Sequence, residues 1–222
     1  MSILKEVLSG YIETLRSKSI EFPERDAAIL ICSELDLSIS DIYLHGDRSV
    51  SDDELCKINS LIKRRSLYEP VAKIIGRKSF WNSLFYVDQT VLDPRPETEL
   101  LVETVLSYVG STKTILDLGT GSGCIAISLA QAFESVTIKA SDISKDCLNL
   151  AQRNATINKV NICFVESNWF ENIFEQFDII VSNPPYVSQK EFYKLPKDVK
   201  NYDPKLALDG GKDGLDCYRA IA

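Results

Sequence analysis

Between Thr114 and Ser182, short apolar runs alternate with stretches of helical period, and this alternation constrains the fold more than any other feature of the chain. Thr114–Leu118 reads as a strand, Ile125–Phe133 as a helix, Val136–Ala140 as a second strand and Lys145–Asn158 as a second helix. Asn161–Val165 and Asp178–Ser182 read as a third and a fourth strand. Strands separated by helices cannot pair as hairpins. They lie parallel, joined by right-handed crossovers whose helices cover the sheet faces. An α/β domain follows.

Upstream the period is helical. In Ser2–Lys18, the residues Ile3, Leu4, Val7, Leu8, Tyr11, Ile12 and Leu15 form one apolar stripe. Pro23 suits the start of a second helix, which continues through Ala27–Leu35, and Ile39–Leu44 is a short third. Ser51 and Glu54 have the spacing of a capping box ahead of a fourth helix through Leu55, Ile58, Leu61 and Ile62. Residues 1–68 are therefore expected to form a small helical bundle. Glu69-Pro70 breaks the pattern, and Val71–Leu92, with Phe80, Trp81, Phe85 and Tyr86 around Asn82-Ser83, reads as a β-hairpin. The expected division is a helical domain at 1–68, a β-hairpin linker at 69–96 and the α/β domain at 97–222, opening with a helix over Glu97–Val109.

Of the 222 residues, 45% are apolar and 26% charged, which supports a buried core and excludes a disordered chain. No apolar run is long enough to span a bilayer, and Lys5, Glu6, Glu13, Arg16 and Lys18 interrupt any secretory signal, so a cytoplasmic location is expected. One histidine and six scattered cysteines without a C-x-x-C pair give no metal site; buried, reduced thiols are expected. A net charge of −7 leaves few cations to displace counterions, so direct nucleic-acid binding is not expected.

Chemistry concentrates at three places. Asp117-Leu118-Gly119-Thr120-Gly121-Ser122-Gly123 lies directly between a strand and a helix, where alternate glycines let the backbone turn tightly and approach a ligand. Its G-x-G-x-G spacing departs from the dinucleotide fingerprint G-x-G-x-x-G. Asp142 closes the second strand, about 20 residues beyond the loop, where a carboxylate can accept from both hydroxyls of a ribose. Asn183-Pro184-Pro185-Tyr186 follows the fourth strand, which should lie beside the first, so it faces the same crevice. An Asn amide, carbonyls fixed by two prolines and an aromatic face can together grip a planar NH2 group.

These three stretches resemble class I S-adenosylmethionine-dependent methyltransferases that act on amide or amino nitrogens. Glu69-Pro70-Val71, Gly76, Phe80 and Pro94-Arg95-Pro96-Glu97-Thr98-Glu99, with the N-terminal helices, narrow the resemblance to the HemK/PrmC family. Members of that family methylate the glutamine of the Gly-Gly-Gln motif in peptide chain release factors. The resemblance implies a Rossmann-like methyltransferase domain, S-adenosylmethionine as cofactor, and a release factor as protein substrate methylated at the glutamine N5. A class I sheet has seven strands, so the domain reads as ending after its fourth.

Carried over by residue, the resemblance puts Gly119, Thr120, Gly121, Ser122 and Gly123 around the methionine and ribose end of the cofactor, Asp142 on the ribose and Trp169 at the adenine. Asn168 stands where the family carries an acidic residue. Asn183 and Pro184 accept the two amide hydrogens of the substrate, Pro185 and Tyr186 complete its pocket, and Asn183 also borders the cofactor. Asn-Pro-Pro-Tyr is shared with adenine N6-methyltransferases of nucleic acids, which leaves that activity, or glutamine methylation of a ribosomal protein, as alternatives. Lys57, Lys63, Arg64, Arg65, Lys73, Arg77 and Lys78, opposed by Glu69, are either a solvated face or a docking surface for an acidic patch of the substrate.

Overall fold

In the computed structural model, which describes residues 2–108, 110, 113–133 and 135–222, the chain divides between Ile75 and Gly76 into two units. The first holds β1 (Ser2–Ile3), α1 (Leu4–Ser17), α2 (Pro23–Leu35), α3 (Ile39–Leu44), β2 (Ser49–Val50), α4 (Asp52–Ser66) and α5 (Val71–Ile75). Leu4, Val7 and Leu15 of α1 join Leu30 and Ile31 of α2 and Ile58 and Ile62 of α4 in one buried cluster, as the helical stripe requires. The Ser51 capping box is formed: Ser51 N donates to Glu54 Oε2 at 2.9 Å while Glu54 N donates to Ser51 Oγ at 3.3 Å. A second box, Ser38 with Asp41, starts α3.

Two features depart from the expectation. The two-residue strands β1 and β2 pair antiparallel, too short to leave a period in the sequence. Val71–Ile75 is helical rather than part of a hairpin, with Ile74 N donating to Pro70 O at 3.0 Å. Burial of Ala72 and Ile74 overrides the extended preference of a β-branched run. Three cations of the basic stretch have acidic partners inside this unit. Lys57 pairs with Asp53 at 3.1 Å, Arg64 Nε donates to Glu69 at 2.8 Å, and Arg65 lies buried against Asp26 at 2.8 Å. Lys57 and Arg64 remain about half exposed beside these partners, whereas Arg65 is buried.

The second unit opens with an antiparallel hairpin, β3 (Arg77–Phe80) and β4 (Ser83–Tyr86), turning at Trp81-Asn82, one residue earlier than expected. The hairpin is bonded to this unit, since Tyr86 N donates to Asn154 Oδ1 at 2.7 Å and Asn158 Nδ2 to Leu84 O at 3.0 Å. A 3₁₀ turn at Pro96–Thr98 leads into α6 (Glu99–Ser107). The expected end of that helix, Val109, lies outside the described residues.

Then come β5 (Thr114–Leu118), α7 (Cys124–Ala132), β6 (Thr137–Asp142), α8 (Lys145–Ile157), β7 (Cys163–Glu166) and β8 (Ile179–Ser182), followed by α9 (Gln189–Phe192), α10 (Lys197–Tyr202) and α11 (Asp216–Ile221). The sheet is parallel, in the order β7-β6-β5-β8. On one face Ile115, Ile138 and Val181 pack with the hairpin, α6 and α7; on the other Leu116 and Leu118 meet Ile173 and Trp169. Because β6 lies on one side of β5 and β8 on the other, the crossovers diverge there. A crevice opens at the C-terminal ends of β5 and β8, where Leu118 is paired with Ser182.

Among the described residues no helix is long and apolar enough to cross a membrane, and no group of side chains could hold a metal ion. The thiols are free, but only Cys32, Cys124 and Cys147 are buried. Cys56 and Cys163 are exposed, which corrects the expectation of uniform burial.

Candidate active site

The crevice is walled by the glycine loop. Gly119, Gly121 and Gly123 take φ values of 70°, 54° and 82°, a region that side chains disfavour, so the chain turns at once from β5 into α7. Asp142, the last residue of β6, clamps the loop from one side: its Oδ2 accepts from Gly121 N at 2.8 Å and its Oδ1 from Ser144 N at 2.9 Å. Ser144, not Asp142, caps α8. From the other side the fully buried Asn154 donates Nδ2 to Ser122 O at 2.9 Å and to Tyr86 O at 3.0 Å. The loop is thus preorganised from two sides.

Beneath the loop, Asp117 is fully buried and its Oδ2 accepts from the Thr120 hydroxyl at 2.6 Å. Burial pushes this carboxyl from its ordinary 3.8 up to about 7; Asp142 adds to the rise and the Thr120 hydroxyl opposes it. Between these two values the native chain keeps a proton that the unfolded chain has lost. Its stabilising contribution is therefore complete below about pH 4 and falls as pH rises to 7, by ~4 kcal/mol for a shift of this size. Asp117→Asn should stabilise the protein little at pH 4 and most at pH 8. Chemical denaturation at both pH values checks this; an equal effect at each would show that Asp117 is ionised alike in both states.

A cavity of about 440 Å³ lies over the loop, lined by Gly119, Thr120, Gly121, Ser122, Asp142, Trp169, Asn183 and Pro185. Gly123 is not in its wall: a Cβ there would stand 3.0 Å from Ile127 and 3.2 Å from Ala151, so this glycine serves the packing of α7 on α8. Trp169 is held at φ 49°, with Ser167 Oγ donating to its carbonyl at 2.8 Å. Asn168 also lines the cavity, and its Nδ2 donates to Glu171 at 2.7 Å, which leaves its carbonyl oxygen as an acceptor. Asp93, Asp142, Asp146 and Asp209 stand in the wall together with Arg95, and Lys205 approaches Asp209 at 3.8 Å. The field inside favours a positively charged ligand.

A second groove of about 430 Å³ is lined by Pro184, Tyr186, Leu101 and Val199. Asn183, Thr98 and Arg95 line both spaces, so Asn183 stands in the wall between them. Its Nδ2 donates to Thr98 Oγ1 at 3.2 Å. Among the described residues no donor reaches the carbonyl of Pro184. Behind the loop, Val187 N donates to Leu208 O and Gly210 N to Val187 O, each at 2.9 Å. A Cβ on Gly210 would meet the Tyr186 backbone at 2.7 Å, so only glycine permits this support.

The sequence brings the glycine loop, Asp142, Trp169 and the Asn-Pro-Pro-Tyr stretch to one place, with Pro184 and Tyr186 on the groove side of it. It assigns no role to Asp93, Asn154 or Gly210, nor to the link between Arg95 and Asp203 at 2.7 Å. Asn154 could have been suspected, as a polar residue on the helix face that carries Leu150, Ala151 and Ala155.

Residues 6–76 match the PrmC N-terminal domain family, and residues 90–199 match the Methyltransferase small domain family. The release factor glutamine methyltransferase of Agrobacterium fabrum is 41% identical over 217 residues, covering 94% of this chain and 75% of that protein. Its counterpart in Lactococcus lactis is 47% identical over 174 residues, covering 78% and 64%. Among solved structures, the hMettl16 catalytic domain in complex with MAT2A 3'UTR hairpin 6 superposes with a TM-score of 0.50 at 16% identity, over 77% of this chain and 62% of that one. At that identity the likeness concerns the fold alone.

Proposed function

The chain belongs to the release factor glutamine methyltransferase family, and on that premise we propose that it methylates the side-chain nitrogen N5 of the glutamine in the Gly-Gly-Gln motif of peptide chain release factors, using S-adenosylmethionine. The observation that carries this reading is the position of Asn183, in the wall shared by an acid-lined cavity and a groove bearing Pro184 and Tyr186. Within the same proposal the protein works in the cytoplasm, without binding nucleic acid directly.

The cavity suits the cofactor. Its acidic wall matches a sulfonium and an ammonium charge, and Asp142 spends one hydrogen bond per oxygen on the backbone, keeping lone pairs for two ribose hydroxyls. Gly119, Thr120, Gly121 and Ser122 would line the ribose and methionine end, Trp169 the adenine, and Gly123 would shape the loop from behind. S-adenosylmethionine brings a methyl group already activated on sulfur, so the protein need not activate a leaving group.

What remains is alignment and charge. A carboxamide nitrogen is a poor nucleophile because its lone pair is shared with the carbonyl. Asn183 Oδ1 and the Pro184 carbonyl can each accept one of its two hydrogens, orienting the nitrogen toward the cavity and stabilising the positive charge that grows on it. Pro185 and Tyr186 hold the amide plane. The nitrogen gains a methyl and yields one proton to water, with no strong base required.

Asp142→Ala should weaken S-adenosylmethionine binding by ~1–3 kcal/mol, the cost of leaving polar partners unpaired, measured by calorimetric titration. Equal affinity in both proteins would remove Asp142 from the ribose. The reading itself is tested by supplying labelled methyl donor with either a release factor or an adenine-containing oligonucleotide. Label on the release factor alone is expected; label on the oligonucleotide alone would favour the adenine N6 alternative.

A further inference from the structure

We propose that the lysines of α9, α10 and the turns beside them form a docking surface next to the groove, and that it holds an acidic segment of the release factor. The inference rests on the glutamine reading and adds to it how the intact protein substrate is held.

Residues 188–205 carry Lys190, Lys194, Lys197, Lys200 and Lys205 against Glu191, Asp198 and Asp203, in a chain of net charge −7. The three carboxylates are committed within the chain. Glu191 accepts from the Ser188 hydroxyl at 2.6 Å in the cap of α9. Asp198 Oδ1 accepts from Val199 N at 3.0 Å, and the buried Asp203 accepts from Arg95 at 2.7 Å. The five lysines are all exposed. Among the described residues Lys190 and Lys200 form no ion pair, and Lys194 acts on Glu191 through its charge alone. Lys200 Nζ stands 5.4 Å from the centre of the Tyr193 ring and Lys205 Nζ 6.0 Å from that of Phe192. The two rings meet edge to face, and Tyr193 is 78% exposed, so cations and aromatic surface are continuous.

This surface adjoins the groove, because Leu195 and Val199 of the same segment line it together with Tyr186. The chain flanking a glutamine seated at Asn183 has these lysines as neighbours. Exposed ammonium groups beside inward-turned carboxylates favour an anionic partner. A protein suits the arrangement better than a polynucleotide. Glu97 lines the groove, and beyond Asn183 the cavity wall carries four aspartates, so a continuous run of phosphates would meet carboxylates. A protein can set acidic side chains on the lysines and still place an uncharged Gly-Gly-Gln loop in the groove.

The test is methyl transfer by the full chain to an intact release factor and to a short Gly-Gly-Gln peptide, at low and high salt. The triple variant Lys190→Glu, Lys194→Glu, Lys200→Glu should lower kcat/KM on the release factor by ~10-fold at low salt. At high salt the difference should shrink, since screening confines such attraction to within ~8–10 Å. The short peptide, confined to the groove, should be methylated as by wild type. Arginine at the same three positions should keep wild-type activity on both substrates, which ties the effect to charge. The proposal is overturned if the glutamate variant methylates the release factor as fast as wild type. It is overturned equally if both substrates slow alike, because the lysines would then serve the groove itself. Loss of binding to a labelled RNA hairpin, with release-factor methylation unchanged, would assign the surface to RNA instead. If wild type methylates neither substrate, the glutamine reading has failed, and the docking surface with it.

Discussion

Asn183→Ala is expected to lower methyl transfer to a Gly-Gly-Gln peptide by ~10²–10³ in kcat, the usual loss for one oriented polar group at a site of developing charge. S-adenosylmethionine affinity should change much less. The side chain borders the cofactor cavity, but the loop amides and Asp142 form most of that wall. Alanine removes one of the two acceptors for the substrate NH2, so the nitrogen loses both its alignment and part of its charge stabilisation. Single-turnover kinetics with titration of the cofactor separate the two effects. A variant that transfers methyl at the wild-type rate would show that the amide is held elsewhere.

The largest expected loss of stability is in the helical unit. Asp26 is buried at 1% exposure and accepts from Arg65 Nε on Oδ2 at 2.8 Å and from Arg25 on Oδ1 at 3.1 Å. Arg65 is itself buried, and it also donates to Glu69 O at 3.1 Å. Asp26→Ala strands a guanidinium away from water, which typically costs ~3–5 kcal/mol. Replacing the pair together, Asp26→Leu with Arg65→Met, should recover most of that loss, because two apolar side chains need no desolvation. Chemical denaturation followed by circular dichroism measures both. A single-variant loss below ~1 kcal/mol would mean that Arg65 finds another partner at little cost.

The parts of the fold that repeat a local rule are legible in the sequence. Strand–helix alternation dictates a parallel sheet, and the Ser51–Glu54 spacing announces the start of α4. What escapes is decided by distant contacts. Val71–Ile75 carries β-branched residues that favour extension, and becomes helical because Ala72 and Ile74 must be buried. Thr98 looks like an ordinary helix start, yet its hydroxyl meets the side chain of Asn183, which sequence places far downstream. Arg95 and Asp203 likewise meet only once the sheet is folded. Gly123 and Gly210 are alike in sequence to the ligand-facing glycines, but both are required by the close approach of other parts of the chain. The basic stretch reads as one run of charge, and only the fold separates Arg65, buried against Asp26, from Lys57 and Arg64, which meet Asp53 and Glu69 at the surface.

The central claim is that Asn183 and Pro184 present a glutamine side-chain nitrogen to a cofactor held by the glycine loop and Asp142. It is tested most directly by incubating the protein with S-adenosylmethionine and a release factor, then mapping the methyl group by tandem mass spectrometry. A single methyl on the side-chain nitrogen of the Gly-Gly-Gln glutamine is the predicted result. A methyl on any other residue, or an unmodified glutamine after prolonged incubation, would contradict it.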